Sequence, residues 1–130
     1  MGTRYTGRPD EVRALDTFIK LMRATDSVSA DLAAHVAESG ITLGQFGVLE
    51  ALLHLGPMSQ GSLGGKLLRS GSNITTVIDN LQRQGLVART RRKDDRRVVD
   101  VSLTTKGRTL ITRIFPGHAR RIVQIGRAHV

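Results

Sequence analysis

Cysteine is absent from this 130-residue chain, which excludes disulfides, thiol redox switches and cysteine-based zinc sites. Tryptophan is absent too, and aromatics make up only 3% of the residues. A core must therefore be built from Leu, Ile, Val and Ala, a composition that favours helices. No apolar run approaches the roughly 18 residues of a membrane span. The opening stretch, Met1 to Pro9, has no apolar segment and does not read as a secretory signal. The expected setting is the cytoplasm, with no membrane partner. Four histidines (His35, His54, His118 and His129) show no metal-ligand spacing. Gly61, Gly64 and Gly65 do not form a phosphate-cradling GxGxxG, and no nucleophile–base motif is visible. The expectation is a protein without a cofactor that is not an enzyme.

What the chain does have is positive charge. Lys and Arg number 20 against 11 acids, a net charge of +9, which points to a polyanionic partner. The length suits one domain, and 39% hydrophobic residues suffice for one core.

Pro9, Asp10 and Glu11 open a helix predicted over about 10–38. Leu15, Phe18, Met22, Leu32 and Val36 recur near helical spacing, and Gly40 caps the end. Such a helix is roughly 44 Å long, more than a small globule needs, which suggests that it reaches a partner subunit. Thr42 and Gln45 form a capping box for a second helix, with Ile41 and Phe46 as a hydrophobic staple. Its inner face is Phe46, Leu49, Leu52 and Leu53, and Gly56-Pro57 ends it. Ser59 caps a short third helix carrying Leu63, Leu67 and Leu68, weakened by its three glycines. Ser70-Gly71-Ser72 reads as a turn.

The fourth helix runs to Gln84, with Gly85 as its C-cap. Ile74, Val77, Ile78 and Leu81 cluster inward. The outer face, Ser72, Asn73, Thr75, Thr76, Asp79, Asn80 and Arg83, carries short hydroxyls and amides where exposed helices usually carry long Lys and Glu. Short polar groups let a helix lie close to base edges and phosphates. Asp79 is expected to pair with Arg83 at i,i+4, with base readout of cytosine as the alternative. Residues 86–92 and 97–103 read as two strands joined by Lys93 to Arg96. From Arg83 to Arg97 there are seven basic residues and two acids. Thr104 then caps a fifth helix with Leu110, Ile111, Ile114 and Phe115, which Pro116-Gly117 should kink or break. The last six residues, 125–130, match the translation of a sequencing-adapter string and read as a non-native tail.

A polar helix, a tight turn and two strands with an arginine at the tip describe a mainly α fold with a small β-wing, a winged helix-turn-helix. The helix fits a major groove, and a tip arginine can enter the adjacent minor groove. A winged helix used for protein–protein contacts is the rival reading.

The wing signature Asp95-x-Arg97-x-x-x-Val101-x-Leu103-Thr104 resembles that of the multiple antibiotic resistance regulator (MarR) family. Gln45-Phe46-x-Val48-Leu49, Leu63-x-x-x-Leu67, Ile74-Thr75-x-x-Ile78-Asp79-x-Leu81 and Gly85-Leu86-Val87 match in the same order, so the resemblance covers about 10–124. It implies a homodimer held by N- and C-terminal dimerisation helices, about 10–39 and 105–124. The winged-helix part, about 42–104, would bind double-stranded DNA and repress a gene. Ser72, Asn73, Thr75 and Thr76 would meet the major groove. Arg97 would enter the minor groove, oriented by Asp95, although Asp95–Arg97 also reads as a simple turn ion pair. Ser59 and Gln60 would meet phosphate, and Ser70, Arg83, Lys93 and Arg96 complete the DNA-facing set. The family commonly binds a small aromatic or phenolic effector. Phe18, Met22, His35 and Phe46 are the candidate lining here, with plain core as the alternative for each. The stretches Phe18-Ile-Lys-Leu-Met-Arg-Ala and Ile114-Phe-Pro-Gly-His-Ala are similar to the subgroup answering catechols and quinones.

Overall fold

The computed structural model describes residues 2–67 and 73–128. Helix α1 spans Pro9–Ala37, with proline in its first turn. Glu11 turns back to accept from the Arg8 backbone N–H at 2.9 Å. Helix α2, Leu43–Leu55, starts at the expected capping box. Thr42 Oγ1 accepts from the Gln45 N–H at 3.1 Å, and Gln45 Oε1 accepts from the Thr42 N–H at 3.0 Å. Strand β1 is only Met58–Ser59, and α3 follows at Gln60–Lys66, capped by Ser59. Helix α4, Ile74–Arg83, is capped by Asn73. Strands β2 (Val87–Arg91) and β3 (Val99–Leu103) form the wing, and α5 spans Thr105–Ala128.

The sheet is antiparallel in the order β1-β3-β2, with Val87 opposite Leu103 and Arg91 opposite Val99. Met58 faces Val101, so β1 ties the start of α3 to the wing. Two residues carry no alternation, and the sequence offered no sign of β1.

The core gathers Phe46, Val48, Leu49 and Leu52 of α2 with Leu63, Ile78, Leu81, Val101 and Ile111. Helix α4 turns into β2 through a Schellman motif. The Leu86 N–H donates to Leu81 O and the Gly85 N–H to Gln82 O, both at 2.9 Å. Gly85 holds φ +75°, a conformation that favours glycine. The same corner receives α5. Thr104 donates its N–H to Leu86 O at 3.1 Å and its hydroxyl to Gly85 O at 2.7 Å, and it caps α5 by accepting from Gly107 N–H.

Several expectations need correction. Helix α5 is continuous through Pro116, with no break at 116–117. Proline removes the hydrogen bond to the Thr112 carbonyl, but Thr112 and Pro116 both lie on the exposed side, where water can serve that carbonyl. Ile111 and His118, buried on either side, hold the helix to the body. Leu15, Phe18 and Met22 are exposed in this single chain, as is Leu21, so the apolar stripe of α1 is not core. Only Val36, near the end of α1, is buried. Asp31 of α1 forms a bidentate pair with Arg121 of α5, both bonds 2.7 Å. Leu68, Ser70 and Ser72 lie outside the described residues.

The glycines of α3 are not equivalent. A Cβ on Gly64 would meet Ile74 Cγ2 at 3.3 Å, so that glycine admits α4. Gly61 and Gly65 face open space. Alanine at either should stabilise the protein by about 0.5–1 kcal/mol by reducing the entropy lost on folding. Chemical denaturation of each variant checks this. A loss of stability would mean that α3 depends on the glycine backbone itself.

Candidate nucleic-acid interface

The exposed side of α4 begins at Asn73. Its Oδ1 accepts from the Thr75 N–H at 3.0 Å and the Thr76 N–H at 3.4 Å. Those two bonds occupy the side-chain oxygen, and among the described residues the NH2 of this exposed amide has no acceptor. Thr75 and Thr76 are exposed. Further along, Arg83 donates to Asn80 Oδ1 at 2.7 Å, not to Asp79.

Asp79 instead pairs with Arg89 of β2 at 2.6 Å. Arg89 is the hub of this surface and was missed in the sequence. It also donates to Gln60 Oε1 at 3.1 Å, Gln82 Oε1 at 2.7 Å and the Thr75 carbonyl at 3.4 Å. One guanidinium thus joins α3, α4 and β2. A signal was present: strand alternation puts Arg89 on the same side as buried Val87, where a cation needs a partner. Gln60 Nε2 in turn donates to Thr75 Oγ1 at 3.2 Å. Ser59, by contrast, spends its hydroxyl on its own helix, accepting from the Ser62 N–H and donating to Ser62 Oγ.

The wing tip is a tight turn organised by Asp95. Its carboxylate accepts from the Arg97 N–H and Nε, both at 3.1 Å, and from Nη2 at 3.3 Å. Arg97's side chain and then its N–H hold the Asp95 carboxyl below its usual range. Arg97 is 91% exposed, so the pair fixes direction without burying the cation. At the base of the turn, Arg92 makes a bidentate pair with Asp100, both bonds 2.9 Å. That pair lowers the Asp100 pKa and raises that of Arg92. Arg91 donates to the Arg96 carbonyl at 2.5 Å. Lys93 and Arg96 project freely into solvent beside Arg97. The fold therefore brings Gln60, Asn73, Thr75 and Thr76 onto one surface, leaves Arg83 at the far end of α4 and carries Lys93, Arg96 and Arg97 out on the wing.

The four candidate pocket residues are not brought together as one lining. Phe18 and Met22 are exposed on α1, His35 is half-buried and Phe46 is core. Phe46 stacks on Phe115, with centroids 6.4 Å apart, and meets the His118 ring at 4.3 Å with the planes tilted by 40°. His118, buried at the α2–α5 contact, was not singled out in the sequence. Among the described residues, the Nδ1 atoms of His35 and His118 are buried without a hydrogen-bond partner.

Burial pushes the His118 pKa below its ordinary value of 6.5; nearby Glu50 opposes this and His35 adds to it. A base whose folded pKa is depressed contributes stability that is present above the unfolded value and lost as pH falls below it, because the unfolded chain takes up the proton first. The carboxylates of Asp31, Asp95 and Asp100 are held below 3.8 by Arg121, Arg97 and Arg92 and titrate outside this window. Thermal melts should therefore show a declining Tm as pH drops from about 6.5 towards 5. His118→Phe should flatten that decline. Equal slopes in both proteins would remove His118 as its cause.

A short-side-chain helix braced against an arginine wing defines a winged-helix DNA-binding regulator. Residues 41–99 match the model of the MarR family. The chain is 36% identical over 110 residues to the HTH-type transcriptional regulator MhqR of Bacillus subtilis, covering 85% of this chain and 76% of that protein. The chain belongs to the MarR family of transcriptional regulators. Among solved structures, AbsC of Streptomyces coelicolor superposes with a TM-score of 0.82 at 18% identity, covering 98% of this chain and 85% of that one. Bordetella bronchiseptica BpsR, whose DNA binding is regulated by 6-hydroxynicotinic acid, gives a TM-score of 0.73 at 30% identity, covering 83% and 81%. No described helix is long and apolar enough to cross a membrane.

Proposed function

We propose that this chain represses transcription by binding a palindromic operator as a homodimer, and that a small aromatic or phenolic effector releases it. The observation that carries this reading is the surface of α4. Its exposed residues are short hydroxyls and amides, and an outward arginine stands on the wing beside it. Ser72, Asn73, Thr75 and Thr76 read the major groove, and Ser70 belongs to the DNA-facing set. Arg97 enters the minor groove, positioned by Asp95. Ser59, Gln60, Arg83, Lys93 and Arg96 meet the phosphate backbone, which fixes register and not sequence.

Dimerisation is supported by the uncovered apolar side chains of Phe18, Leu21 and Met22 on α1 and of Ile122 and Val123 on α5. Patches of this kind mark interaction surfaces. Effector control is supported by the relative whose DNA binding responds to a hydroxylated aromatic acid. Phe46, His35 and His118, with two unpartnered imidazole nitrogens, offer matching chemistry.

Footprinting on operators selected from random duplexes tests the reading. Two protected half-sites should appear, with centres about one helical turn, roughly 34–36 Å, apart. Binding should weaken steeply with salt as condensed counterions compete for phosphate. A salt-insensitive partner interaction with no footprint would favour the protein-interaction role instead.

A further inference from the structure

The hub at Arg89 has a consequence for which bases are read. It rests on the DNA-binding reading above. Gln60 is an amide, and its two ends are opposite in hydrogen-bonding sense. Arg89 Nε occupies the oxygen end at 3.1 Å, and that forces the nitrogen end toward Thr75 Oγ1, 3.2 Å away. Thr75 therefore accepts from Gln60. Its own proton has no acceptor among the described residues. A hydroxyl that already accepts one hydrogen bond is polarised toward donating the next. Asn73 is biased the same way, because its oxygen serves the Thr75 and Thr76 N–H groups and only its NH2 remains. The carboxylate on this face, Asp79, is engaged by the same Arg89.

We propose that Arg89 acts as a positioning residue for specificity: through Gln60 it makes the N-terminal end of α4 a surface of hydrogen-bond donors. The bases that fit such a surface are those presenting acceptors in the major groove. Guanine, with N7 and O6 both accepting, fits best, whereas the amine of cytosine is rejected.

Selection of binding sites from a random duplex pool at low salt tests this with the full chain. The wild type should enrich a motif in which one position per half-site prefers guanine over cytosine by on the order of tenfold. Gln60→Glu keeps the Arg89 contact but can only accept, so it takes the Thr75 proton and leaves an acceptor facing outward. The preference at that one position should swing toward cytosine or adenine, which present amines, while the rest of the motif persists. The added negative charge lowers affinity for every sequence alike and so leaves relative enrichment readable. Arg89→Met, which frees the amide to turn over, should erase the preference at that position without inverting it. Thr75→Val, which adds no charge and keeps the side-chain shape, should also erase it. Identical motifs from wild type and Gln60→Glu would overturn the relay while leaving DNA recognition intact. A wild type that enriches no sequence at all would overturn the DNA reading itself.

Discussion

Replacing Gly107 with alanine should destabilise the domain by about 3 kcal/mol and lower Tm by about 10 °C. A Cβ at this position would sit 1.9 Å from the Leu86 carbonyl oxygen and 2.9 Å from its carbonyl carbon. The obstacle is backbone, so no rotamer change relieves it. Nor can Leu86 move easily, because its N–H closes the Schellman motif of α4 and its carbonyl accepts from Thr104. One side of the collision is the corner between α4 and the wing, and the other is the first turn of α5. Relief must separate those elements, with loss of packing around Leu86, Val87 and Ile111. Gly126, also in α5, meets nothing within 4 Å and provides the control: alanine there should be neutral or mildly stabilising. Calorimetry on the two variants decides. Equal melting temperatures would mean that the α5 seat is looser than its geometry indicates.

Arg97→Ala should weaken operator binding by about 1–3 kcal/mol while leaving the fold intact. Among the described residues, Arg97's side chain hydrogen-bonds only to Asp95, and it is almost fully exposed, so truncation uncovers no core. The loss would come from the negative potential of a narrow minor groove. Arg97→Lys should recover only part of it, because an ammonium cannot reproduce the forked contact with Asp95. Anisotropy titrations on one operator, alongside thermal melts, separate binding from stability. Unchanged affinity would sink the wing assignment, and a reduced Tm would relocate the effect to the fold.

These effects differ in how far the sequence announced them. The Asp95–Arg97 turn is local: two residues apart, a carboxylate and a guanidinium can meet only in a few ways. The capping box at Thr42 and Gln45 and the inward stripe of half-buried Ile74 with buried Ile78 and Leu81 are local as well, set by fixed helical spacing. The Asp79–Arg89 pair is different. Arg83 stands at the correct spacing on the same helix; strand alternation shows that Arg89 needs a partner, but not that the partner is Asp79 across the turn. Pro116 shows the opposite error, a strong local rule overridden by packing at Ile111 and His118. Phe18 and Met22 mark a third kind of gap. Periodicity identifies an apolar stripe but does not say whether its cover comes from the same chain. Nothing near Gly107 in the sequence shows why glycine is required there, because the carbonyl that demands it lies 21 positions away at Leu86.

The uninterrupted course of α5 has a mechanical consequence. Its first turn is seated on the hinge of the wing, and its later turns are clamped to α1 by the Asp31–Arg121 fork. Twenty-four residues make a rod about 36 Å long. Were α5 broken at Pro116, movement at one end would be absorbed at the break. As one continuous helix it converts angle into displacement: Arg121 stands 16 residues from Thr105, about 24 Å along it, so a tilt of about 10° at the clamp would sweep the wing end through about 4 Å. That distance exceeds the reach of a hydrogen bond and is enough to lift Arg97 out of a groove. In the proposed dimer, a modest change in how the two α1 helices meet would therefore be felt at the wing tips.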